Sequence, residues 1–237
     1  MFRYAPHLPL VLYNINLYIP ENKVTAIVGG SGCGKTTLLK LLVRLYKPSY
    51  GNVKMGEMNL DTLKLRKWRD MCGVVMQDGK IFNDTIKNNI VLGDDMVDEA
   101  QLVKCCEIAQ INNDINHLPN GFETIVGEQG RGLSGGQKQR LLIARALYRN
   151  PRYLFLDEAT NSLDAVNERN IVQALNSTFE NRTVVIIAHR LSTIRNAHQI
   201  VMMEKGQIVE IGNHKTLMGR KGPYYELVNS QNEKIVC

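Results

Sequence analysis

Apolar residues take every second position at Val11, Tyr13, Ile15, Leu17 and Ile19, the two-residue period of a strand. Pro20, Glu21 and Asn22 follow as a turn. Val24 to Val28 is then uniformly apolar, so the pattern predicts an antiparallel hairpin. Three more short apolar runs occur at Gly73 to Met76, Tyr153 to Leu156 and Val184 to Ala188. Continuous apolar runs suit strands covered on both faces of a largely parallel sheet. The first of the four runs enters a glycine loop at Gly29. The others stop at Gln77, at Asp157 with Glu158, and at His189. Ligands of such sheets bind outside the carboxyl ends of the strands, so these endings are expected on one edge. Residues 79 to 149 are mostly helical in pattern, with loops at Gly93-Asp94-Asp95 and Pro119-Asn120-Gly121. Gln199 to Met203 and Gln207 to Ile211 flank Glu204-Lys205-Gly206 as a second hairpin. A short helix is expected around Tyr224 to Gln231.

Composition changes this picture little. The chain has 237 residues, 44% hydrophobic and 22% charged, enough for a core that needs neither disulfide nor metal. The net charge of +6 contains no run of five like charges, and solubility accounts for it; affinity for polyphosphate or an anionic surface is its functional reading. The cysteines, Cys33, Cys72, Cys105, Cys106 and Cys237, form no Cys-x-x-Cys pair and read as free thiols of a reducing compartment. Val184 to Ala188 is far shorter than the ~18 apolar residues of a membrane span. Any link to a membrane is expected through a partner or a further part of the chain. Phe2-Arg3-Tyr4 reads as a strand whose first half is missing, as in a domain cut from a longer polypeptide.

The chemistry concentrates at three places. Gly29-Gly30-Ser31-Gly32-Cys33-Gly34-Lys35-Thr36 fits the phosphate-loop pattern G-x-x-x-x-G-K-[ST]. Glycines let backbone N–H groups turn toward phosphate oxygens, and the helix that starts near Lys35 presents its positive end to the same anion. Lys35 is placed to reach the β- and γ-phosphates, and the Thr36 hydroxyl to ligate Mg²⁺. Asp157 fits the carboxylate on the Mg²⁺ side, and Glu158 fits a general base aimed at a water in line with the γ-phosphate. Leu133-Ser134-Gly135-Gly136-Gln137 precedes a strongly helical stretch. Ser134 is a good N-cap, and glycine in a helix costs about 1 kcal/mol against alanine, so the bare backbone calls for a reason. Two phosphate-seeking helix ends with one set of hydrolytic groups suggest that the second end serves another molecule's nucleotide.

Taken in order, these motifs resemble the nucleotide-binding domain of ATP-binding cassette (ABC) transporters over nearly the whole chain. The resemblance implies an α/β fold: a P-loop NTPase core with a mainly parallel sheet, an N-terminal antiparallel β subdomain and an inserted α-helical subdomain. The core would take about 1–78 and 150–237, and the helical signature subdomain about 79–149. It implies ATP and Mg²⁺ as ligands, with Gly29 to Lys35, Thr36 and Thr37 around the phosphates. Tyr4 would stack on adenine, Gln77 would approach Mg²⁺ and the attacking water, and His189 would hold the γ-phosphate beside Glu158. Lys35 and His189 would stabilise the transition state, and Asp164 would shape a dimer interface. Ser134, Gly135, Gly136 and Gln137 would close over ATP bound by a second copy, head to tail.

Thr124-Ile125-Val126-Gly127-Glu128-Gln129-Gly130 resembles the exporter X-loop with Ile125 in place of the first glutamate. Together with Ile187 to Thr193 it implies an exporter, a transmembrane-domain partner, no nucleic-acid partner, and a place on the cytoplasmic face of the membrane. The tail Gly222 to Val228 is similar to bacterial peptide and bacteriocin exporters. An importer ATPase subunit or a soluble non-transport ABC ATPase is the alternative. Asn22, where relatives commonly have glycine, tolerates a positive φ. Cys33 replaces a common serine where only the backbone is needed.

Overall fold

The computed structural model describes residues 1–94, 96–128, 130, 132–158, 178–179, 181–188 and 194–233. In chain order their strands and helices are β1 (Val24–Gly29), α1 (Lys35–Leu42), β2 (Lys54–Met55), β3 (Met58–Asn59), α2 (Leu65–Asp70), β4 (Cys72–Val75) and β5 (Asp84–Thr85). Then come α3 (Ile86–Val91), α4 (Glu99–Ile108), α5 (Asn112–Asn116), β6 (Ile125–Val126), α6 (Gly135–Tyr148) and β7 (Tyr153–Asp157). The last are β8 (Thr183–Ile187), β9 (Gln199–Glu204), β10 (Gln207–Gly212), α7 (His214–Arg220) and α8 (Pro223–Glu233). They divide between two compact units, Met1–Arg69 with Thr183–Cys237, and Asp70–Arg182.

In the first unit the strand order is β10-β9-β1-β8. β1 is interior and pairs in parallel on both sides, Ile27 facing Ile187 of β8 and Val201 of β9. Its residues Thr25 to Val28 are fully buried, as a uniformly apolar strand requires. The hairpin predicted for 11–19 with this strand does not form, because both of its edges are taken. The 11–19 segment still alternates: residues 13, 15, 17 and 19 are half-buried and 14, 16 and 18 exposed. It is extended chain laid on the body rather than a ladder. Its bonds are scattered: an isolated antiparallel bridge of Leu12 with Phe2, Tyr13 N–H to the Gly206 carbonyl (2.8 Å), and Gln199 Nε2 to the Tyr18 carbonyl (3.1 Å).

The second predicted hairpin is present as β9 and β10, antiparallel. Its two-residue turn, Lys205-Gly206, has positive φ at both positions (46° and 79°), the geometry that matches strand twist. A Cβ at Gly206 would lie 2.2 Å from the Val11 carbonyl, so the turn accepts the 11–13 segment only as glycine. α1 covers the sheet with Leu38, Leu39 and Leu41 buried, and Trp68 is pinned by its indole N–H on the Leu42 carbonyl (3.1 Å).

In the second unit β4 and β7 run parallel, Val75 opposite Leu156. α6 packs on β4, where Gly73 leaves no room for a side chain: a Cβ would meet the Ala146 carbonyl at 2.3 Å. α3 and α4 pack on α6. Asp98 caps α4 on Gln101 N–H (3.0 Å), and Thr85 caps α3 on Asn88 N–H (3.0 Å). β5 and β6 form a two-residue antiparallel ladder that no sequence period announces. Cys33, Cys72, Cys105 and Cys106 are free thiols, as read from the sequence, and burial pushes the Cys72 thiol up to about 12. No described helix is long and apolar enough to cross a membrane.

The tail helices supply a pH test. His214 Nδ1 lies 2.7 Å from the hydroxyl of the fully buried Tyr224. Burial, and then the charge of Arg195, lower the His214 pKa below its ordinary 6.5. The folded chain therefore prefers neutral imidazole. This contribution to stability is complete above the unfolded value and is lost as pH falls through the folded value. Thermal melts are expected to show a steeper loss of Tm between about pH 7.5 and 5 for the parent than for His214→Gln. Parallel losses would remove His214 from the account.

Candidate functional site

β1 ends on Gly29, and the chain turns through Gly30-Ser31-Gly32-Cys33-Gly34 into α1. Gly29, Gly32 and Gly34 have φ of 147°, 75° and 103°, where L side chains are strained. Packing adds its own demand. A Cβ on Gly29 would sit 2.2 Å from the Met203 carbonyl, and one on Gly34 2.7 Å from Leu12 Cδ2. At Gly30 and Gly32 a Cβ would meet nothing within 4 Å, so those glycines leave open space. Ser31 is exposed and Cys33 buried, its carbonyl accepting from Gly206 N–H at 3.0 Å.

Gly34 is the N-cap of α1 and offers no side-chain acceptor, so the helix end keeps its positive pole for a ligand. Lys35 is only 6% exposed, and its ammonium donates to the carbonyls of Gly29 and Gly30, both at 2.9 Å. Thr36 is half-buried in the first helical turn, and Thr37 is buried. The Thr37 hydroxyl shares a 2.9 Å hydrogen bond with the Tyr4 hydroxyl. The Tyr4 ring is 42% exposed and meets Phe2 and Tyr46 edge-on, at 5.0 and 5.2 Å between centroids. Tyr46 was not singled out from the sequence; nothing in its neighbourhood there joins it to Tyr4. β8 lies level with β1, and His189 would follow its end; His189 and Asp164 lie outside the described residues.

In the second unit the parallel register sends Gln77, Asp157 and Glu158 out of the same end of the β4–β7 pair. Gln77 is exposed, Asp157 fully buried and Glu158 half-buried. Glu158 has φ 52°, a strained value for a residue with a side chain. Its carbonyl accepts from Gln139 Nε2 at 3.1 Å. The backbone thus leaves the line of the strand at Glu158. Sequence reading supplied the pair but not the turn, since a left-handed glutamate has no compositional mark.

At the start of α6, Ser134 and Gln137 form a reciprocal capping box: Gln137 N–H to Ser134 Oγ at 3.2 Å, and Ser134 N–H to Gln137 Oε1 at 3.1 Å. Ser134 and Gly135 are exposed, and Gly136 half-buried. The Gln137 amide also donates to Asp114 Oδ1 (2.8 Å), whose other oxygen takes Arg140 (2.9 Å). Asp114 therefore fixes which way that amide faces. Sequence reading missed Asp114 and Arg140, which are brought to the motif by α5 packing and by the helical period.

As donor sets, these groups divide cleanly. The Lys35 loop offers a buried cation and an uncapped helix end, which suit a polyphosphate. Thr36 in the first unit and Asp157 in the second each offer a hard oxygen of the kind Mg²⁺ takes. The Ser134 tip offers a hydroxyl and bare glycine backbone.

The chain matches the family described as ABC transporter over residues 12–161. It is 45% identical over 95% of its length to "Multidrug resistance protein pgp-1" of Caenorhabditis elegans, covering 17% of that protein. It is 46% identical over 98% of its length to "Toxin RTX-I translocation ATP-binding protein" of Actinobacillus pleuropneumoniae, covering 33% of it. Among solved structures it is similar to "Structure of a bacterial Atm1-family ABC exporter with ATP bound", with a TM-score of 0.92 and 38% identity over 97% of this chain and 40% of that one. The chain thus spans a third or less of these curated relatives. Motif order, fold and sequence identity agree, and the chain belongs to the ABC transporter family as a nucleotide-binding domain.

Proposed function

We propose that this domain binds and hydrolyses ATP as a head-to-tail dimer and thereby drives export through a transmembrane domain at the cytoplasmic face of a membrane. The observation that carries the reading is the buried Lys35 ammonium, held by the carbonyls of Gly29 and Gly30 beside an uncapped helix end. The two carbonyls give the ammonium hydrogen bonds but no counter-charge, which a polyphosphate at the same helix end would supply. The printed names of the relatives support export: toxin translocation, multidrug resistance and an ABC exporter. A peptide cargo follows from the likeness of the tail alone.

In this reading the glycine loop, Lys35 and Thr37 bind the phosphates, and the Tyr4 ring carries adenine by stacking, worth ~1–3 kcal/mol. Thr36, Gln77 and Asp157 would hold Mg²⁺, which when bound neutralises charge on the phosphate oxygens. The hydroxyl, amide and carboxylate oxygens of these residues are hard donors of the kind Mg²⁺ takes, and Mg²⁺ is typically held by few carboxylates together with substrate phosphates. Glu158 takes a proton from water as it attacks the γ-phosphate, and its left-handed backbone sets the direction of approach. Lys35 and His189 stabilise the charge that develops on the transferred group. Ser134, Gly135, Gly136 and Gln137 close the site of the opposite copy, so ATP acts as the adhesive and its hydrolysis opens the pair. In the same reading the catalytic core takes about 1–78 with 150–237, and the helical signature subdomain about 79–149.

Two outcomes test this. Glu158→Gln is expected to lower turnover by ~10²–10⁴-fold while ATP binding persists, and to accumulate an ATP-bound dimer by gel filtration. Unchanged turnover would refute the base. Lys35→Ala is expected to weaken ATP binding by at least about tenfold in calorimetry. Equal affinity would remove the lysine from phosphate binding.

A further inference from the structure

The segment that follows Gln77 is tied to α6 more heavily than a surface loop needs. Gly79 folds back through its N–H to the Met76 carbonyl (3.0 Å), and a Cβ there would lie 2.7 Å from Leu142 Cδ1 of α6. Arg145, three residues on and on the same helix face, takes over from Leu142. Its guanidinium donates to the Lys80 carbonyl (2.8 Å), the Asn89 carbonyl (2.6 Å) and Asn89 Oδ1 (2.8 Å), and sits 5.1 Å from the Phe82 ring centroid. Asn89 is fully buried. Its Oδ1 accepts from Phe82 N–H (2.8 Å), and its amide donates to the carbonyls of Phe82, Asp84 and Thr85 (3.0, 3.3 and 3.0 Å).

The planar fork of arginine satisfies three acceptors at once, which a lysine ammonium on a flexible stem does not reproduce in that plane. Burial lowers the Arg145 pKa only to about 10, so it remains a cation at neutral pH. Residues 79 to 85 are thus fastened to one face of α6 by Leu142, Arg145 and, through Arg145, Asn89. The same helix carries Ser134 and Gly135 at its tip, about 15 Å away at 1.5 Å per residue.

We propose that Arg145 is a positioning residue for hydrolysis, making α6 and the segment after Gln77 one rigid strut. Capture of a phosphate at the Ser134 end is then felt as a displacement of the Gln77 turn, and the position of that turn is set by the helix. The proposal rests on the ATPase reading above and adds a residue outside the groups that reading places on the nucleotide. Phe82, 54% exposed, is the outward face of the same knot.

The test is a double-mutant cycle of Arg145→Lys with Gln77→Ala on this chain, reading kcat per bound nucleotide, KM for ATP and Tm. Counting bound nucleotide corrects for any misfolded fraction. Arg145→Lys is expected to lower kcat about tenfold with KM within about twofold, and to cost less than about twofold when Gln77 is already alanine. Phe82→Leu removes the aromatic face and none of these hydrogen bonds. It runs through the same cycle if Arg145→Lys fails to fold, with an expected kcat loss of about threefold that also vanishes on Gln77→Ala. Full additivity in the cycle, or a kcat equal to the parent's, overturns the strut. Absence of ATP binding and turnover in the parent overturns the ATPase reading instead.

Discussion

The constraint on which the first unit depends is a buried ammonium at the end of its central strand. Lys35 cannot be withdrawn into the protein without polar partners, and it finds them in the carbonyls of Gly29 and Gly30. Those carbonyls point at it only because the backbone takes left-handed values at Gly29, Gly32 and Gly34. At Gly29 and Gly34 a Cβ would in addition collide with Met203 and with Leu12. The buried stretch Thr25 to Val28 of β1, the turn at Gly206 and the extended segment around Leu12 are all parts of one arrangement that holds the Lys35 ammonium at a helix end.

In the second unit the organising element is α6. It carries a capping box at one end, Asp114 fixing the amide of Gln137, Gln139 on the carbonyl of the strained Glu158, and Arg145 on the segment beyond Gln77. Apart from Asp114, which α5 supplies, each is a polar group on a helix whose other faces are buried, among Leu141, Ile143, Ala144 and Leu147. The helix therefore fixes the directions of groups far apart in sequence. The adjacent Asp157 and Glu158 differ for the same kind of reason: one ends a buried strand, and the next leaves it through a left-handed step.

Motifs with local physics were legible. The phosphate loop needs glycine because its own backbone turns; Ser134 caps because its hydroxyl reaches Gln137 N–H, three residues on; and the runs Tyr153 to Leu156 and Val184 to Ile187 are apolar because both faces are covered, whereas β4 alternates half-buried and buried positions. The β9–β10 hairpin was legible for its turn. The hairpin expected from Val11 to Ile19 was not found, since a period of two reports an extended chain with one side covered and says nothing about which strand will be its neighbour.

The sequence by itself determined the order of the motifs and the family they mark, because each motif is built from residues a few positions apart. Only the tertiary structure decided which edges of β1 were free, that Tyr46 leans on Tyr4, that Asp114 orients Gln137 and that Arg145 grips Lys80 and Asn89. Such contacts join residues tens of positions apart. A side chain carries no local mark of the partner that will be folded against it, so burial and hydrogen bonding at a distance have to be seen.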